Sequence, residues 1–364
     1  VFLGSPECVC IVLQTLSDAA ASSAPPFDLC AVVTQPPKRV KNKPAVKTPV
    51  HELAESLGVE HIWTPQTAKE DDFLSALETL APDVCITAAY GQYLPRRFLE
   101  SPRLGTLNLH PSLLPRWRGA SPVQRALVAG DAETGITILY TVAKMDAGPI
   151  VLQRSEPLLG EETSEDLLDR YFKWGAQLLV DEALPAVISG SMTMETAQVQ
   201  DESLVTKAPL ISKQDGQLWP HNETAVEMRN KIRGFTPWPG TTLPIACSGS
   251  KAPPQGFRVK VSGAAVVPLA DLPELEDTQL QELIFVADHD GKPPRVGVRP
   301  ATDPENVLLL EYFQLPGKTQ VPAKTFNKGY MTTQPARWMT PEEEADLTMK
   351  NGGVVRKATR ARRS

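Results

Sequence analysis

Over the first 190 residues, short apolar β-rich runs alternate with stretches of helical periodicity. That alternation limits the possible folds more than any other feature of the chain. Residues 27–34, 83–89, 104–109 and 135–142 read as strands. Between them, Thr48-Pro49 makes a helix cap and first turn that Gly58 stops, and Phe73, Leu74, Leu77, Leu80 and Ala81 share one helical face. Ser121-Pro122 opens a helix that Gly130 ends, and residues 163–190 carry a long helical pattern through Leu167, Leu168, Tyr171, Phe172, Leu178 and Leu179. Strands alternating with helices imply an α/β fold with an open, mostly parallel, Rossmann-like sheet. Such sheets take their ligands beyond the carboxyl ends of the strands.

The character changes near Lys207. One helical segment, residues 223–233, is followed by short β-like runs at 257–261, 283–287, 295–299 and 307–313, separated by Pro- and Gly-rich loops. His289-Asp290-Gly291-Lys292 is a hairpin-turn sequence. These runs predict a C-terminal β-barrel of the oligonucleotide-binding (OB-like) kind. The 364 residues accordingly divide into a catalytic domain at 1–192, a linker at 193–215, a barrel at 216–335 and a basic, flexible tail at 336–364. The chain opens Val-Phe-Leu-Gly, the stump of a strand, so the native N-terminus and any targeting segment are expected to lie upstream.

No run of about 18 apolar residues is present, which argues against a membrane span. The cysteines (Cys8, Cys10, Cys30, Cys85, Cys247) form no CxxC pair or Cys/His cluster, so reduced thiols fit better than zinc or disulfides. Cys10, Cys30 and Cys85 lie in apolar runs that read as core. The net charge of −6 argues against nonspecific nucleic-acid binding. Yet no acid occurs between Leu29 and His51, where Lys38, Arg39, Lys41, Lys43 and Lys47 are gathered, and a second basic block closes the chain. A solvated loop accounts for the first block as simply as a phosphate-binding one.

The strand ending at residue 110 bears the most suggestive chemistry. Residues two apart on a strand face the same way, so Asn108 and His110 share a face at a carboxyl end. An amide there can donate to a developing oxyanion, and an imidazole beside it can move protons near neutral pH. Asp146, after the next strand, could orient that ring, although alone it reads equally well as an Asx-turn residue. Asn-x-His by itself is a weak motif. There is no Gly-x-Ser-x-Gly elbow, Gly-x-Gly-x-x-Gly turn or P-loop, which disfavours serine hydrolases, dinucleotide enzymes and P-loop NTPases. An Asn/His/Asp set without a protein nucleophile suits a transfer in which one substrate supplies the nucleophile.

"LNLHPSLLPRWRGASPVQRAL", "GDAETGITI" and "MDAGPI" resemble the formyltetrahydrofolate-dependent formyltransferases. Further stretches, "VTQPPKR", "AAYGQYLP", "DESLVTKAPLISK" and "IRGFTPWPGT", are similar to the branch that formylates methionyl initiator tRNA. The resemblance spans nearly all of residues 1–245 and is loose beyond. It implies that 10-formyltetrahydrofolate is the co-substrate, with no metal, and that initiator Met-tRNA is the acceptor. It also implies that Asn108 stabilises the oxyanion, His110 shuttles protons and Asp146 sets the state of His110. Ser112, Leu113, Leu114 and Pro115 match the folate-binding segment, with Trp117 and Arg118 at its border. Lys38, Arg39, Lys41, Lys43 and Lys47 match an insertion that meets the tRNA, and Arg258, Lys260, Lys318, Lys324 and Lys328 are barrel candidates for the same partner. Trp238 is expected to pack at the domain junction. Residues 17–26 read as an insertion forming a loop. A monomer away from the membrane is expected, in a mitochondrion or plastid, the alternative being the bacterial cytoplasm.

Overall fold

The structure, a computed structural model, describes residues 1–39, 44–247, 256–275, 278–287, 292–331 and 336–346. Its residues group into two compact units, Val1–Ala126 with Asp131–Leu210, and Leu127–Gly130 with Ile211–Ser364.

The first part of the chain runs β1 (Phe2–Gly4), α1 (Cys10–Ala20), β2 (Ala31–Val33), β3 (Lys38–Arg39), β4 (Ala45–Val46), α2 (Pro49–Ser56), β5 (His61–Trp63) and α3 (Asp71–Leu80). It continues through β6 (Cys85–Ala88), α4 (Arg96–Leu99), β7 (Thr106–His110), α5 (Pro122–Ala129), β8 (Glu133–Tyr140), β9 (Ile150–Pro157), α6 (Ser164–Leu178) and α7 (Leu184–Ile188). The main sheet has the order β5-β2-β1-β6-β7-β8-β9. Its strands are parallel as far as β7, and β8 and β9 are added antiparallel.

The opening stump proves to be a central strand. Phe2 and Leu3 are fully buried between β2 and β6, as continuous apolar runs are when both sheet faces are covered. Leu3, Ala31, Val33 and Cys85 pack with Phe73, Leu74 and Leu77 of α3 and Phe98 of α4. Each large side chain of that layer contributes roughly 1.5–3 kcal/mol through burial. On other contacts, α1 packs against α6 and α6 against β8.

Several expectations need correction. The segment 17–26 is not all loop: α1 continues through Ala20, where Asp18 accepts from Gln14 Nε2 at 2.8 Å, and ends before the Ser/Pro-rich stretch. Strand β9 gave no alternating signal, because its last residues, Arg154 to Pro157, are polar or partly exposed. The long helical pattern is α6, capped by a Thr163–Asp166 box, then a π-turn at Leu179–Ala183, then α7 with Pro185 in its first turn. Cys30 is exposed just before β2 rather than in the core.

The second part contains α8 (Ala225–Gly234), β10 (Thr241–Ala246), β11 (Phe257–Pro268), β12 (Leu283–Val286), β13 (Arg295–Val298), β14 (Asn306–Gln314), β15 (Val321–Pro322), α9 (Ala323–Tyr330) and β16 (Arg337–Trp338). The antiparallel order β12-β13-β14-β11-β10-β16 curls until its edges meet at a Glu282–Arg337 bridge, with Leu283 N donating to Ala336 O at 2.7 Å. The result is barrel-like. Its interior holds Leu243, Val261, Val298, Leu310 and Phe313, with Met228 and Ile232 from α8 and Phe326 from α9. Phe326 stacks on Phe313 at 4.3 Å between ring centroids.

The tail expected from residue 336 instead begins inside this sheet. Ala336, Trp338 and Met339 are buried, since β16 supplies the pairing that closes the curl. The basic block from Lys350 onward and His289, Asp290 and Gly291 of the expected hairpin turn lie outside the described residues. Lys324 and Lys328, placed on the barrel by sequence, sit on the exposed face of α9. Arg258 is engaged within its own unit, paired with Glu344 and stacked over Trp219 at 4.7 Å. Trp238 is 55% exposed.

Candidate active site

Strand β7 ends on one of the parallel carboxyl ends, and three side chains meet there. Asn108 and His110 arrive by the period-two geometry of the strand. Asp146 arrives from the turn between β8 and β9, in the left-handed region at φ 48°, a conformation for which Asp is enriched among non-glycine residues. Asp146 Oδ2 lies 3.9 Å from His110 Nδ1, and Oδ1 lies 3.5 Å from Asn108 Nδ2, the outer limit of a hydrogen bond.

Each of the three is oriented by a group the sequence did not reveal. The Thr87 hydroxyl, on neighbouring β6, donates to Asn108 Oδ1 at 2.8 Å. With its oxygen so engaged, the amide leaves Nδ2 as the group facing the site. His110 Nε2 lies 2.9 Å from the Trp117 carbonyl. A carbonyl only accepts, so Nε2 carries the proton and the Nδ1 lone pair of the neutral ring is directed to the Asp146 side. Gly119 N donates to Asp146 Oδ2 at 2.9 Å, fixing the carboxylate oxygen that is nearest His110. His110 is 5% exposed, so the Asp146 carboxylate faces it in a shielded setting where charge interactions are stronger than in water.

Replacing Thr87 with Val keeps the shape and removes the hydroxyl. A lost hydrogen bond of ordinary strength predicts a fall in kcat of about tenfold, with stability little changed. Steady-state kinetics beside a thermal melt checks this, and an unaltered kcat would show that the amide is oriented by other means.

The loop after His110 is fixed largely by backbone pairing. Residues 206–208 run beside it: Trp117 N donates to Thr206 Oγ1 at 2.8 Å, Arg118 N to Thr206 O at 2.9 Å, and Ala208 N to Arg118 O at 2.7 Å. These residues were expected to be a linker. They serve instead as a rail for the site loop, because backbone groups buried with Arg118 and Ala208 need partners. Trp117 itself has φ 68°, with its indole donating to Asp131 and Arg116 stacked on it at 4.6 Å.

The four residues matched to a folate segment divide in two. Ser112 is buried with its hydroxyl donating to Arg116 O at 2.8 Å, and Leu114 is buried against Leu139 and Ile150. Leu113 and Pro115 are half-buried and are the apolar surface the segment offers. Thr137 and Gln153 brace its backbone: Leu114 N donates to Thr137 Oγ1, and Gln153 Nε2 donates to Leu114 O at 2.9 Å.

The basic residues lie elsewhere in the same unit. Lys38 and Arg39 are exposed on the β3–β4 hairpin, and Lys47 pairs with Glu55 at 2.5 Å, which holds that carboxyl below its ordinary range. Lys41 and Lys43 lie outside the described residues. Among the described residues no group of three or more His, Cys, Asp or Glu could hold a metal ion, and no helix is long and apolar enough to cross a membrane.

Comparison with known proteins matches two domain families in this chain: formyl transferase over residues 1–183, and the formyl transferase C-terminal domain over residues 210–331. A methionyl-tRNA formyltransferase of Roseiflexus castenholzii is 36% identical over 337 residues, covering 92% of this chain and 96% of that protein. One from Gluconobacter oxydans is 32% identical over 334 residues, covering 90% and 96%. Among solved structures, the sugar 3N-formyl transferase WlaRD, determined with dTDP and 5-N-formyl-THF, aligns at 14% identity and TM-score 0.56 over 85% of this chain and 96% of that one. That likeness concerns the fold alone. With both family domains matched in order, and relatives above 30% identity along nearly the whole length, the chain belongs to the formyl transferase family.

Proposed function

We propose that the protein transfers the formyl group of 10-formyltetrahydrofolate to the α-amino group of the methionyl residue on initiator tRNA. The observation that carries the reading is the convergence of Asn108, His110 and Asp146 at the carboxyl end of β7. The extent of similarity to named methionyl-tRNA formyltransferases supports the choice of acceptor.

In this reaction the amine nitrogen attacks the formyl carbon, and the carbonyl electrons move onto oxygen. Asn108 Nδ2, its partner oxygen already held by Thr87, donates to that oxyanion. A preorganised donor of this kind is worth roughly 2.7–4 kcal/mol in the transition state. His110 Nδ1 takes the proton that the attacking amine gives up. The imidazolium so formed carries Nδ1–H toward Asp146 and Nε2–H toward the Trp117 carbonyl, so both of its protons face acceptors. As the oxyanion collapses, the bond from the formyl carbon to the folate nitrogen breaks and that nitrogen takes the proton held at His110 Nδ1, which returns the ring to its neutral form. The products are tetrahydrofolate and formyl-Met-tRNA. Ser112, the hydroxyl nearest His110 in sequence, spends its proton on Arg116 O, which suits a reaction whose nucleophile is a substrate amine. The test is formyl transfer to purified Met-tRNA with water and free methionine as competing acceptors. Formyl-Met-tRNA as product upholds the reading, whereas free formate without formylated tRNA replaces it with hydrolysis.

The β3–β4 hairpin is the proposed tRNA contact, through phosphates rather than bases, because it presents Lys38 and Arg39 exposed on paired strands. Charge reversal at both is expected to raise KM for Met-tRNA at least several-fold. It is expected to flatten the salt dependence by about one unit of slope per lost contact, leaving KM for the folate unchanged. Binding measured from low to moderate salt decides it, and an unchanged slope removes the hairpin from the interface.

A further inference from the structure

We propose that Gln200 is a positioning residue of this reaction, acting through the turn that carries Asp146. The inference rests on the functional reading above and extends it to a residue outside the Asn/His/Asp set. Gln200 is 5% exposed and uses its whole side-chain amide. Nε2 donates to Asp146 O at 2.9 Å and to Gly148 O at 2.8 Å. Oε1 accepts from Arg118 Nε at 3.0 Å and Arg118 Nη2 at 2.9 Å. Two donors and two acceptor positions are thereby filled, which is the full inventory of a primary amide.

The turn needs such a clasp. Asp146 is left-handed at φ 48°, and between Tyr140 and Ile150 the backbone makes few bonds of its own, among them Ala147 N to Lys144 O at 3.2 Å. Gly148 presses so close to Tyr140 that an added Cβ would lie 1.7 Å from its carbonyl oxygen. Gln200 closes the two carbonyls flanking Ala147 from one side, while Gly119 N holds the Asp146 carboxylate from another. Arg118 completes the brace: it is 6% exposed, and its remaining arm reaches Glu202 at 2.9 Å, which also pairs with Lys144 at 2.6 Å. The same Arg118 lies in the loop whose Trp117 carbonyl fixes the His110 tautomer. Gln200 therefore ties the acid-bearing turn to the loop whose Trp117 carbonyl orients His110, and sets the 3.9 Å separation between Asp146 and His110.

The amide is specifically required. A carboxylate at this position keeps the partnership with Arg118 but has no N–H for Asp146 O or Gly148 O, and its oxygens repel both carbonyls. A shorter amide does not span the same gap. A displacement of about 1 Å at a reacting group costs up to about 100-fold in rate.

The test is Gln200→Glu, with Gln200→Met as a second variant that preserves volume and removes all polarity, each assayed on the full chain by thermal melting and steady-state kinetics. The expected result is a folded Gln200→Glu protein with kcat lowered about 10- to 100-fold and KM for Met-tRNA and 10-formyltetrahydrofolate within about threefold of wild type. A folded variant of either kind with kcat within about twofold of wild type, or with its defect confined to KM, overturns the inference. If Gln200→Glu does not fold, Gln200→Met decides by the same criterion. A wild-type protein that makes no formyl-Met-tRNA overturns the functional reading itself and this inference with it, an outcome distinct from a fully active Gln200 variant.

Discussion

Replacing Asp146 with Asn is expected to lower kcat by about 10²- to 10⁴-fold while leaving both KM values and the melting temperature close to wild type. The size follows from the two tasks the carboxylate performs. Its charge faces His110 Nδ1 at 3.9 Å, where the imidazolium forms, and a neutral amide gives that cation nothing to offset. Its two oxygens also accept from Gly119 N and, at longer range, from Asn108 Nδ2. An amide in the same place has only one acceptor oxygen, so its NH₂ must face one of two other donors. His110→Ala is expected to fall in the same range, since it removes the only base that Trp117 O orients. Single-turnover transfer to Met-tRNA isolates the chemical step from product release. A rate near wild type for either variant would take proton transfer away from His110 and Asp146.

Gly119→Ala is expected to damage both fold and turnover. Gly119 has φ 131°, which an L-residue with a side chain rarely adopts, and an added Cβ would lie 2.4 Å from the Ala208 carbonyl oxygen. Strain of this kind costs about 1–3 kcal/mol, and the clash adds a comparable amount unless the 206–208 rail moves away. If it moves, Gly119 N leaves Asp146 and Trp117 shifts with the rail, since Trp117 N is bound to Thr206. A melting temperature lowered by several degrees with kcat reduced at least about tenfold is the expected outcome. Thermal unfolding together with kinetics below the transition measures both. A variant with normal stability would mean that the rail yields freely and does not constrain the site.

Much of the first unit was legible from residues 1–190. Helix caps such as Thr48-Pro49 and stops such as Gly130 act over three or four residues, and they mark α2 and α5 where the structure has them. The apolar runs of β6 and β7 were equally plain, because central strands of a parallel sheet are apolar on both faces. Strand β9 and the hairpin β3–β4 were not, being polar, short or exposed, with membership of a sheet decided by the neighbour they pair with. The run at 193–215 looked like a linker for the same reason. Its bridges, Ile150–Gln198 and Arg118–Lys207, join residues far apart in the chain and leave no local periodicity.

The candidate site divides along the same line. That Asn108 and His110 face one way follows from the sequence alone, because the alternation of a strand is a property of its own backbone. That Asp146 is the carboxylate beside them, that Trp117 O selects the ring nitrogen bearing the proton, and that Thr87 and Gln200 hold the amide and the acid turn were decided by the tertiary structure. Those partners lie 7 to 54 residues away along the chain. Hydrogen bonds act over about 3 Å, and only the folding of strand against strand and loop against loop brings such groups within that reach.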